Sequence, residues 1–341
     1  MGKQGKKSVG AARQYLGSLG KADNGQVGVS ASPVQGDKAG IIDTRLYLPD
    51  KWTGDRKRCR NAGIPEDKIV FKTECELASD MVLCAGRQGI GSEWVGGDGL
   101  YGHDSKLRYG PDDAGEFYLL DIHCNQNVYL RDPDPYIPEK KPGKGRPPCR
   151  YQSDFEGITA ESLIRGLSES EWEEYCFRTG TKGEKRRKVI VTEVMTWNGE
   201  DSKARKEKLI VSKNPDGTEV KYSLCTDRQK RYTYSELLYM QMQRYRIERS
   251  LQDAKSESGM AEYQVRTWTA WHHHISLTML ALLFMIGQRI RNREHVPLLS
   301  CSDIKFVLAN TLPQKADTKE KILNLIHERH IRRKYDIDRF N

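Results

Sequence analysis

Three charged side chains on one predicted helix are the first candidates for chemistry. The stretch QRYRIERSLQDAKSESGM, from Gln243 to Met260, has no proline and no glycine before Gly259, which predicts a helix. Spacings of four and seven residues return to nearly the same side of a helix, so Arg244, Glu248 and Lys255 share one face. A carboxylate between two cations is typical of a solvated ion-pair ladder, and it can also hold a divalent metal beside a phosphate.

A second candidate carboxylate, Asp98, follows a short apolar run in SEWVGGDGLYGHD. The WVGG stretch predicts a buried strand that breaks at its glycines, so Asp98 stands at a strand end, where side chains of open α/β sheets commonly meet ligands. An Asx turn or a helix N-cap is the alternative interpretation of this aspartate. Together, Asp98 and Glu248 could supply oxygen ligands for two-metal phosphoryl transfer, with Arg244 and Lys255 facing phosphate.

The elements around these residues follow an α/β order. GQVGVSAS (25–32) and GIIDTRLYL (40–48) predict an antiparallel pair, because a turn-rich segment separates them. ECELASDMVLCAGRQG, from Glu74, has apolar residues at helical spacing and ends at a glycine, which predicts an amphipathic helix. GEFYLLDIHC (115–124) predicts a further strand, and the alternation of strands and helices indicates a mixed α/β class.

The composition of the chain changes twice, and this predicts three parts. Residues 1–124 form the first α/β part. Residues 125–233 contain a proline-rich loop, a short acidic helix and strands around a Pro-Asp-Gly turn, which indicates a β-rich insertion. Residues 234–341 are predicted to be almost entirely helical, and they begin with the helix that carries Glu248.

Charge and cysteine content narrow the classes of function. The chain of 341 residues has a net charge of +9, concentrated between residues 140 and 150 and between residues 178 and 188. Such clusters are often solvated loops, but a polyanionic partner, above all nucleic acid, is the second interpretation. The eight cysteines are scattered without a CxxC pair, which argues against a disulfide-rich secreted module and a zinc ribbon.

One apolar run, ISLTMLALLFMIG from Ile275, is thirteen residues long. A bilayer core needs about 20 residues, so this run predicts a buried helix and no membrane partner. No apolar run follows the basic residues near the start of the chain, so no signal peptide is predicted, and a cytoplasmic location is expected.

The segment RYRIERSLQDAKSESGMAEYQVR, followed by WHHHISLTMLALLF, resembles the catalytic region of bacterial insertion-sequence DDE transposases. Arg244, Glu248 and Lys255 match the spacing of that family's tyrosine–arginine–glutamate–lysine signature, whereas the tyrosine position falls on Gln241. WVGGDGLYGHD resembles the segment with the second catalytic aspartate, which corresponds to Asp98. KQGKKSVGAARQYLGSLGKADNGQVGV, IIDTRLYLPDKW, KGRPP and RTGTKG are also similar to family segments, so the resemblance covers nearly the whole chain.

The resemblance implies a ribonuclease-H-like mixed sheet with flanking helices, interrupted by a β-rich insertion before the catalytic glutamate helix. It implies DNA transposition by cleavage and strand transfer, with Asp98 and Glu248 as catalytic metal ligands for Mg²⁺, or Mn²⁺ as its substitute. The implied partner is double-stranded DNA at transposon ends and targets, bound by a homodimer in a bacterial cytoplasm at the nucleoid.

The resemblance also predicts a gap in the active site. In this family the first catalytic aspartate precedes the KQGKKSVG-like segment, so the chain resembles an N-terminally truncated transposase, or one whose start is assigned to an internal methionine. Asp43 is a tempting substitute, but its position matches a later strand. The alternative function is a non-catalytic remnant that binds DNA or forms a dimer with an intact transposase.

Basic and histidine-rich segments give further expectations. Lys144 and Arg146, in KGRPP, resemble a hook for an A·T-rich minor groove, although proline-rich basic loops are also common linkers. Arg178, Lys182 and the run 186–188 are expected to contact DNA phosphates. Consecutive histidines at 272–274 point in different directions on a helix, so packing or a phosphate contact is expected rather than a shared metal. An RNA-binding function is set aside, because no aromatic ribonucleoprotein motif is present.

Overall fold

The computed structural model describes residues 2–3, 5–17, 19–140, 145–180, 183–226, 232–313 and 319–340. Two compact units are distinguished along the chain, residues 1–286 and residues 287–341. The predicted division into residues 1–124, 125–233 and 234–341 stays a prediction.

Short antiparallel hairpins open the chain. They pair β1 (Ala12–Leu16) with β2 (Lys21–Gly25), β3 (Gly28–Ala31) with β6 (Asp43–Leu46), and β4 (Val34–Gln35) with β5 (Lys38–Ala39). The β3–β6 pair confirms the predicted antiparallel pair, whereas the β1–β2 hairpin was not predicted, because its strands are rich in polar residues and glycine.

Three helices follow the hairpins, α1 (Asp50–Thr53), α2 (Arg56–Asn61) and α3 (Glu74–Arg87), with a 3-10 turn at Glu66–Lys68. The amphipathic helix predicted from Glu74 is confirmed as α3. It begins with a capping box, in which Thr73 and Glu76 satisfy each other's backbone N–H groups. Its buried side chains are Cys75 and Met81.

The middle of the chain supplies the main sheet and the elements around it. In chain order they are β7 (Val95–Gly97), α4 (Gly99–His103), α5 (Ser105–Asp113), β8 (Tyr118–Ile122), β9 (Asn127–Val128), β10 (Ile158–Thr159), α6 (Ala160–Arg165), β11 (Glu173–Gly180), β12 (Gly183–Thr196), β13 (Arg205–Lys213) and β14 (Val220–Cys225). The predicted acidic helix is shorter than expected. It is α6, which ends at Arg165, and a separate 3-10 turn at Glu169–Glu171 precedes β11.

Six of these strands form one mixed sheet in the order β11–β12–β13–β14–β8–β7. The β7–β8 pair is parallel, and the other neighbours are antiparallel. Strands from the β-rich region before the glutamate helix therefore extend the sheet that begins with β7 and β8. The predicted fold class is confirmed, since the mixed sheet with flanking helices is consistent with a ribonuclease-H-like fold.

Alternating residues of the sheet supply cores on its two faces, as the period of two of a strand requires. Ile210 and Cys225 point to the face covered by α7 (Tyr234–Met242), where Leu237 and Leu238 are fully buried. The neighbouring residues of β13 and β14 point to the opposite face, which includes α6. The second core contains Ile122, Val128, Ala160, Val194, Leu209, Val211 and Leu224.

A buried ion pair joins α5 to the sheet. The Arg108 guanidinium lies 3.2 Å from Glu207 Oε1, and both side chains are no more than 2% exposed. Tyr118 and Thr196 donate hydroxyl hydrogen bonds to the same carboxylate. Because a buried charge is stable only when it is paired and hydrogen-bonded, these four groups depend on one another.

Helix α8 (Arg244–Ser256) and most of α9 (Trp268–Arg291) belong to the first unit, which ends at residue 286, and a 3-10 turn at Met260–Glu262 separates the two helices. The helix predicted from Gln243 is thus confirmed as α8. The second unit contains α10 (Cys301–Thr311) and α11 (Lys319–Phe340). A capping box of Ser300 and Asp303 begins α10.

Helix α9 contains the apolar run from Ile275, and it corrects the expectation that this helix is buried, because only part of it is. It has 24 residues, and among the described residues it is the one helix long and apolar enough to cross a membrane by length and composition. A core helix of a soluble protein passes the same test, so this finding carries no argument for a membrane. One face of α9 is buried, and the other exposes the apolar side chains Leu277, Leu280, Leu283 and Phe284. The sequence run is apolar on all sides, but the described chain buries only one face of it.

Candidate active site

Asp98 lies at the carboxyl end of β7, as predicted. In the parallel register Gly97 pairs with Leu120 on β8. The next residues of the two strands are Asp98 and Asp121, which therefore lie side by side at the sheet edge. Asp98 is exposed, and its Oδ1 accepts a hydrogen bond of 3.0 Å from the Leu100 backbone N–H, which makes it the N-cap of α4. Capping and ligand binding are therefore compatible interpretations, because the cap occupies one carboxylate oxygen.

Close packing of α4 against β8 fixes the position of this strand end. A Cβ atom at Gly102 would lie 1.9 Å from the Asp121 carbonyl oxygen, so no larger residue fits without a backbone shift. The Arg108 guanidinium donates a hydrogen bond to the Gly102 carbonyl oxygen. Glycine at this position thus lets the helix that Asp98 caps lie directly on the neighbouring strand.

Helix α8 presents its predicted charged face beside the sheet. Arg244 Nη1 donates to Glu248 Oε1, and the Glu248 side chain is 61% exposed. Lys255 is also exposed and lines an open groove of about 450 Å³ together with Glu248, Leu251, Gln252 and Ser256. The helix therefore carries both an ion pair and a solvent-accessible groove along the same face.

Asp121 connects the helix to the strand end, and sequence reasoning missed it. Its Oδ2 lies 3.1 Å from Arg244 Nε, and its Oδ1 accepts a 2.7 Å hydrogen bond from Ser223. Burial raises the pKa of Asp121, the hydrogen bond from Ser223 and the charge of Arg244 oppose that rise, and the charge of Asp98 adds to it. Asp98 and Asp121 are thus electrostatic neighbours.

The charges of three carboxylates act on the pKa of Arg244. Burial acts to lower this pKa, whereas the hydrogen bond and charge of Glu248 and then the charges of Asp121 and Asp98 raise it above its ordinary value. Glu74, the first residue of α3, also belongs to this neighbourhood, because burial and the charge of Asp98 raise its pKa. We call these four carboxylates the acidic edge: Glu74, Asp98, Asp121 and Glu248.

The donor chemistry of the acidic edge fits a hard divalent cation. Mg²⁺ usually keeps several waters and takes one or two protein carboxylates together with substrate phosphates. Asp98 and Glu248 are exposed and could serve in this way. Across the described ranges no group of three or more His, Cys, Asp or Glu side chains is arranged to hold a metal ion, and Asp98 and Glu248 are the two exposed carboxylates of the acidic edge.

The predicted DNA-contacting residues have different surroundings. Arg178 is exposed, and its Nη1 donates a 3.0 Å hydrogen bond to the hydroxyl of Tyr245, the second residue of α8. Arg146 is exposed, and backbone hydrogen bonds join Tyr136, which precedes it, to Gln152, which follows it. Lys144 and Lys182 lie outside the described residues.

Two residues near these positions have structural partners. Arg187 was expected to contact phosphate, but its side chain is 3% exposed and pairs with Glu219 at 3.0 Å, so it is not available to DNA. Gln241, in the signature's tyrosine position, is buried and donates a 2.9 Å hydrogen bond to Ser223 Oγ. It therefore faces the core rather than a ligand.

Asp43 and two residues of the histidine triplet have partners that do not belong to the acidic edge. Asp43 is paired with Arg45 at 3.1 Å on β6. The ring of His272 packs against Trp268 with centroids 4.2 Å apart, and that of His274 packs against Tyr263 at 5.4 Å. These contacts agree with the packing role expected for His272 and His274, whereas His273 is exposed.

Comparison with known proteins gives a family match. Residues 1–184 match the sequence profile of a family described as DDE superfamily endonuclease. This match covers more than half of the chain and includes Asp98, whereas α8 lies beyond it. No curated protein matches the sequence.

Proposed function

Because this chain belongs to the DDE superfamily of endonucleases, we propose that it cleaves DNA strands and joins them to new sites as a transposase. The observation that supports this function is the position of Arg244, on α8, between Glu248 on the same helix and Asp121 on β8, whose preceding residue Leu120 pairs with Gly97, next to Asp98. Carboxylates beside a guanidinium are the groups that cation-assisted phosphoryl transfer requires.

In this proposal Asp98 and Glu248 hold Mg²⁺, or Mn²⁺ in its place. The ion would stabilise negative charge on the oxygens of the scissile phosphodiester. Glu248 can leave its ion pair with Arg244 at little cost, since exposed pairs contribute about 0–1 kcal/mol. Arg244 and Lys255 then face the DNA backbone.

Double-stranded DNA is the proposed partner, at transposon ends and at target sites. Arg178 and Arg146 are exposed cations that extend the contact surface beyond α8, and Lys144 and Lys182 belong to the same proposed set. The proposed groove-inserting role of Arg146 is supported by its exposure and by its place in the basic segment KGRPP. We further propose assignment to the insertion-sequence subtype with the arginine–glutamate–lysine spacing, action as a homodimer, and a cytoplasmic location at the nucleoid.

The test is cleavage of supercoiled plasmid by the full chain with Mg²⁺ or Mn²⁺. Asp98→Asn and Glu248→Gln should each reduce the rate by more than about 100-fold, beyond the loss expected for a supporting partner of a metal site. The matched control is Glu66→Gln, which neutralises a similarly exposed carboxylate paired with an arginine, Arg60, on another helix. Cleavage that survives both substitutions, or that persists in EDTA, would overturn the proposal.

A second candidate function is DNA binding without catalysis, as a remnant or as the partner of an intact transposase. The absence of a three-residue metal group within the described ranges favours it. In that case no condition yields cleavage, yet DNA affinity still falls steeply with salt, because neutralised phosphates release counterions. The same plasmid assay and a salt titration of DNA binding separate the two functions.

A further inference from the structure

Arg244 lies between two carboxylates that differ in accessibility. Its Nε is 3.1 Å from Asp121 Oδ2, and its Nη1 donates to Glu248 Oε1. The Asp121 side chain is 17% exposed, whereas that of Glu248 is 61% exposed. Water screens the Glu248 pair more strongly, so the Asp121 pair is the more persistent of the two.

Asp121 is itself held by a chain of buried polar side chains. Ser223 on β14 donates to it at 2.7 Å, and Gln241 on α7 donates to Ser223 Oγ at 2.9 Å. Ser212 on β13 donates to Gln241 Oε1 at 2.6 Å, and Arg187 on β12 donates to Ser212 Oγ at 3.1 Å.

These buried hydroxyl and amide groups have partners within the core, as buried polar groups require. The chain crosses four strands and a helix, so the carboxylate of Asp121 is fixed by the core of the sheet.

We propose that Asp121 is a positioning residue that keeps the Arg244 guanidinium directed at a DNA phosphate when Glu248 turns to a divalent cation. Ser223 and Gln241 support it from behind. The inference deepens the proposed function and rests on it for the roles of Arg244 and Glu248. Without Asp121, the guanidinium would keep no carboxylate partner once Glu248 is engaged elsewhere.

The sign of one substitution distinguishes positioning from charge alone. DNA is a polyanion, so removal of any carboxylate near it should tighten binding by simple electrostatics. If Asp121 acts by holding Arg244, Asp121→Asn should instead weaken binding although it removes a negative charge. Asp98→Asn is the matched control, because Asp98 lies one position beyond the paired Gly97 and Leu120, next to Asp121, whereas the ion pairs described for Arg244 are with Asp121 and Glu248.

The experiment measures the Kd of the full chain for a short fluorescein-labelled duplex by anisotropy in EDTA. Arg244→Gln should raise Kd roughly tenfold, and Asp121→Asn about threefold, as expected for a charge-assisted contact and its support. Asp98→Asn should lower Kd. When Arg244→Gln is already present, Asp121→Asn should not raise Kd further. When Glu248→Gln is already present, Asp121→Asn should raise Kd by more than threefold, because Arg244 then lacks both carboxylate partners.

Ser223→Ala gives an independent reading, since it removes the hydrogen bond to Asp121 without changing charge, and it should also raise Kd. Unfolding midpoints show whether each variant is folded. If Asp121→Asn does not fold, the Kd of Ser223→Ala tests the proposal in its place. The proposal is overturned if Asp121→Asn tightens binding as Asp98→Asn does, if it adds to Arg244→Gln, or if Ser223→Ala leaves Kd unchanged. These measurements need no cleavage, so their failure is distinct from failure of the plasmid assay.

Discussion

Two arginines show how burial divides structural from exchangeable charges in this protein. Arg108 and Glu207 are buried between α5 and the sheet, where Tyr118 and Thr196 donate hydrogen bonds to Glu207. Arg244, by contrast, contacts two carboxylates, Asp121 and Glu248, and the Glu248 side chain is largely exposed. A buried pair cannot exchange partners without an unpaired buried charge, whereas the open pair can release Glu248 to a ligand.

The largest effect should come from breaking the buried pair. Arg108→Met leaves the Glu207 carboxylate buried without its cation, and we expect a loss of about 3–5 kcal/mol in the free energy of unfolding. Arg244→Met, its control, should cost less than Arg108→Met, because Glu248 is solvated and Asp121 keeps its hydrogen bond from Ser223. Urea unfolding of both variants measures the difference, and similar losses would show that exposure does not separate the two regions.

Gly102 links both regions, and its substitution should have the next largest effect. An added Cβ would meet the Asp121 carbonyl oxygen at 1.9 Å, so Gly102→Ala should cost about 1–3 kcal/mol through displacement of α4. Gly86, near the end of α3, has no atom within 4 Å of an added Cβ, and Gly86→Ala should stabilise the helix by up to about 1 kcal/mol. Thermal unfolding should therefore move in opposite directions, and a neutral Gly102→Ala would argue against close packing of α4 on β8.

The smallest effect extends the comparison to a partly buried histidine. Burial lowers the pKa of His272, against the opposing hydrogen bond to Trp268 and the charge of Asp43. The unfolded chain then takes up a proton near pH 6.5 before the folded chain does, so this stability is present above about pH 6.5 and is lost as pH falls toward the folded pKa.

His272→Gln should consequently lose less stability than wild type on acidification, by less than about 1 kcal/mol. The measurement is the free energy of unfolding at neutral and mildly acidic pH. His273→Gln, an exposed neighbour, should follow wild type, and an equal response of the two variants would contradict a role for burial.

The amino-acid sequence correctly predicted two features of the site, the charged face of α8 and the strand end at Asp98. The four- and seven-residue spacings on α8 needed only helical periodicity, and the glycine-flanked strand end at Asp98 needed only turn chemistry. Both features are present in the structure because neither depends on which strands become neighbours.

The features that sequence reasoning missed depend on long-range register or on the length of a strand. Asp121 is one residue within a predicted strand, and its approach to Arg244 follows from the pairing of β8 with β7 and β14. Arg187 was grouped with solvated cations because β12 was not expected to begin as early as Gly183; on that strand its side chain alternates inward. A polar residue within an otherwise apolar strand was the one local signal that could have indicated Asp121.

The strand before Asp98 has a consequence for motion. Strand β7 spans three residues and lies at one edge of its sheet, where β8 is its ladder partner. Short edge segments open locally at a lower free energy than the whole domain, so backbone amides at Val95–Gly97 should exchange with deuterium well before those at the centre of β13. The carboxylate assigned to the cation thus stands on one of the less firmly held segments of the sheet, and any ion that binds there would slow that exchange.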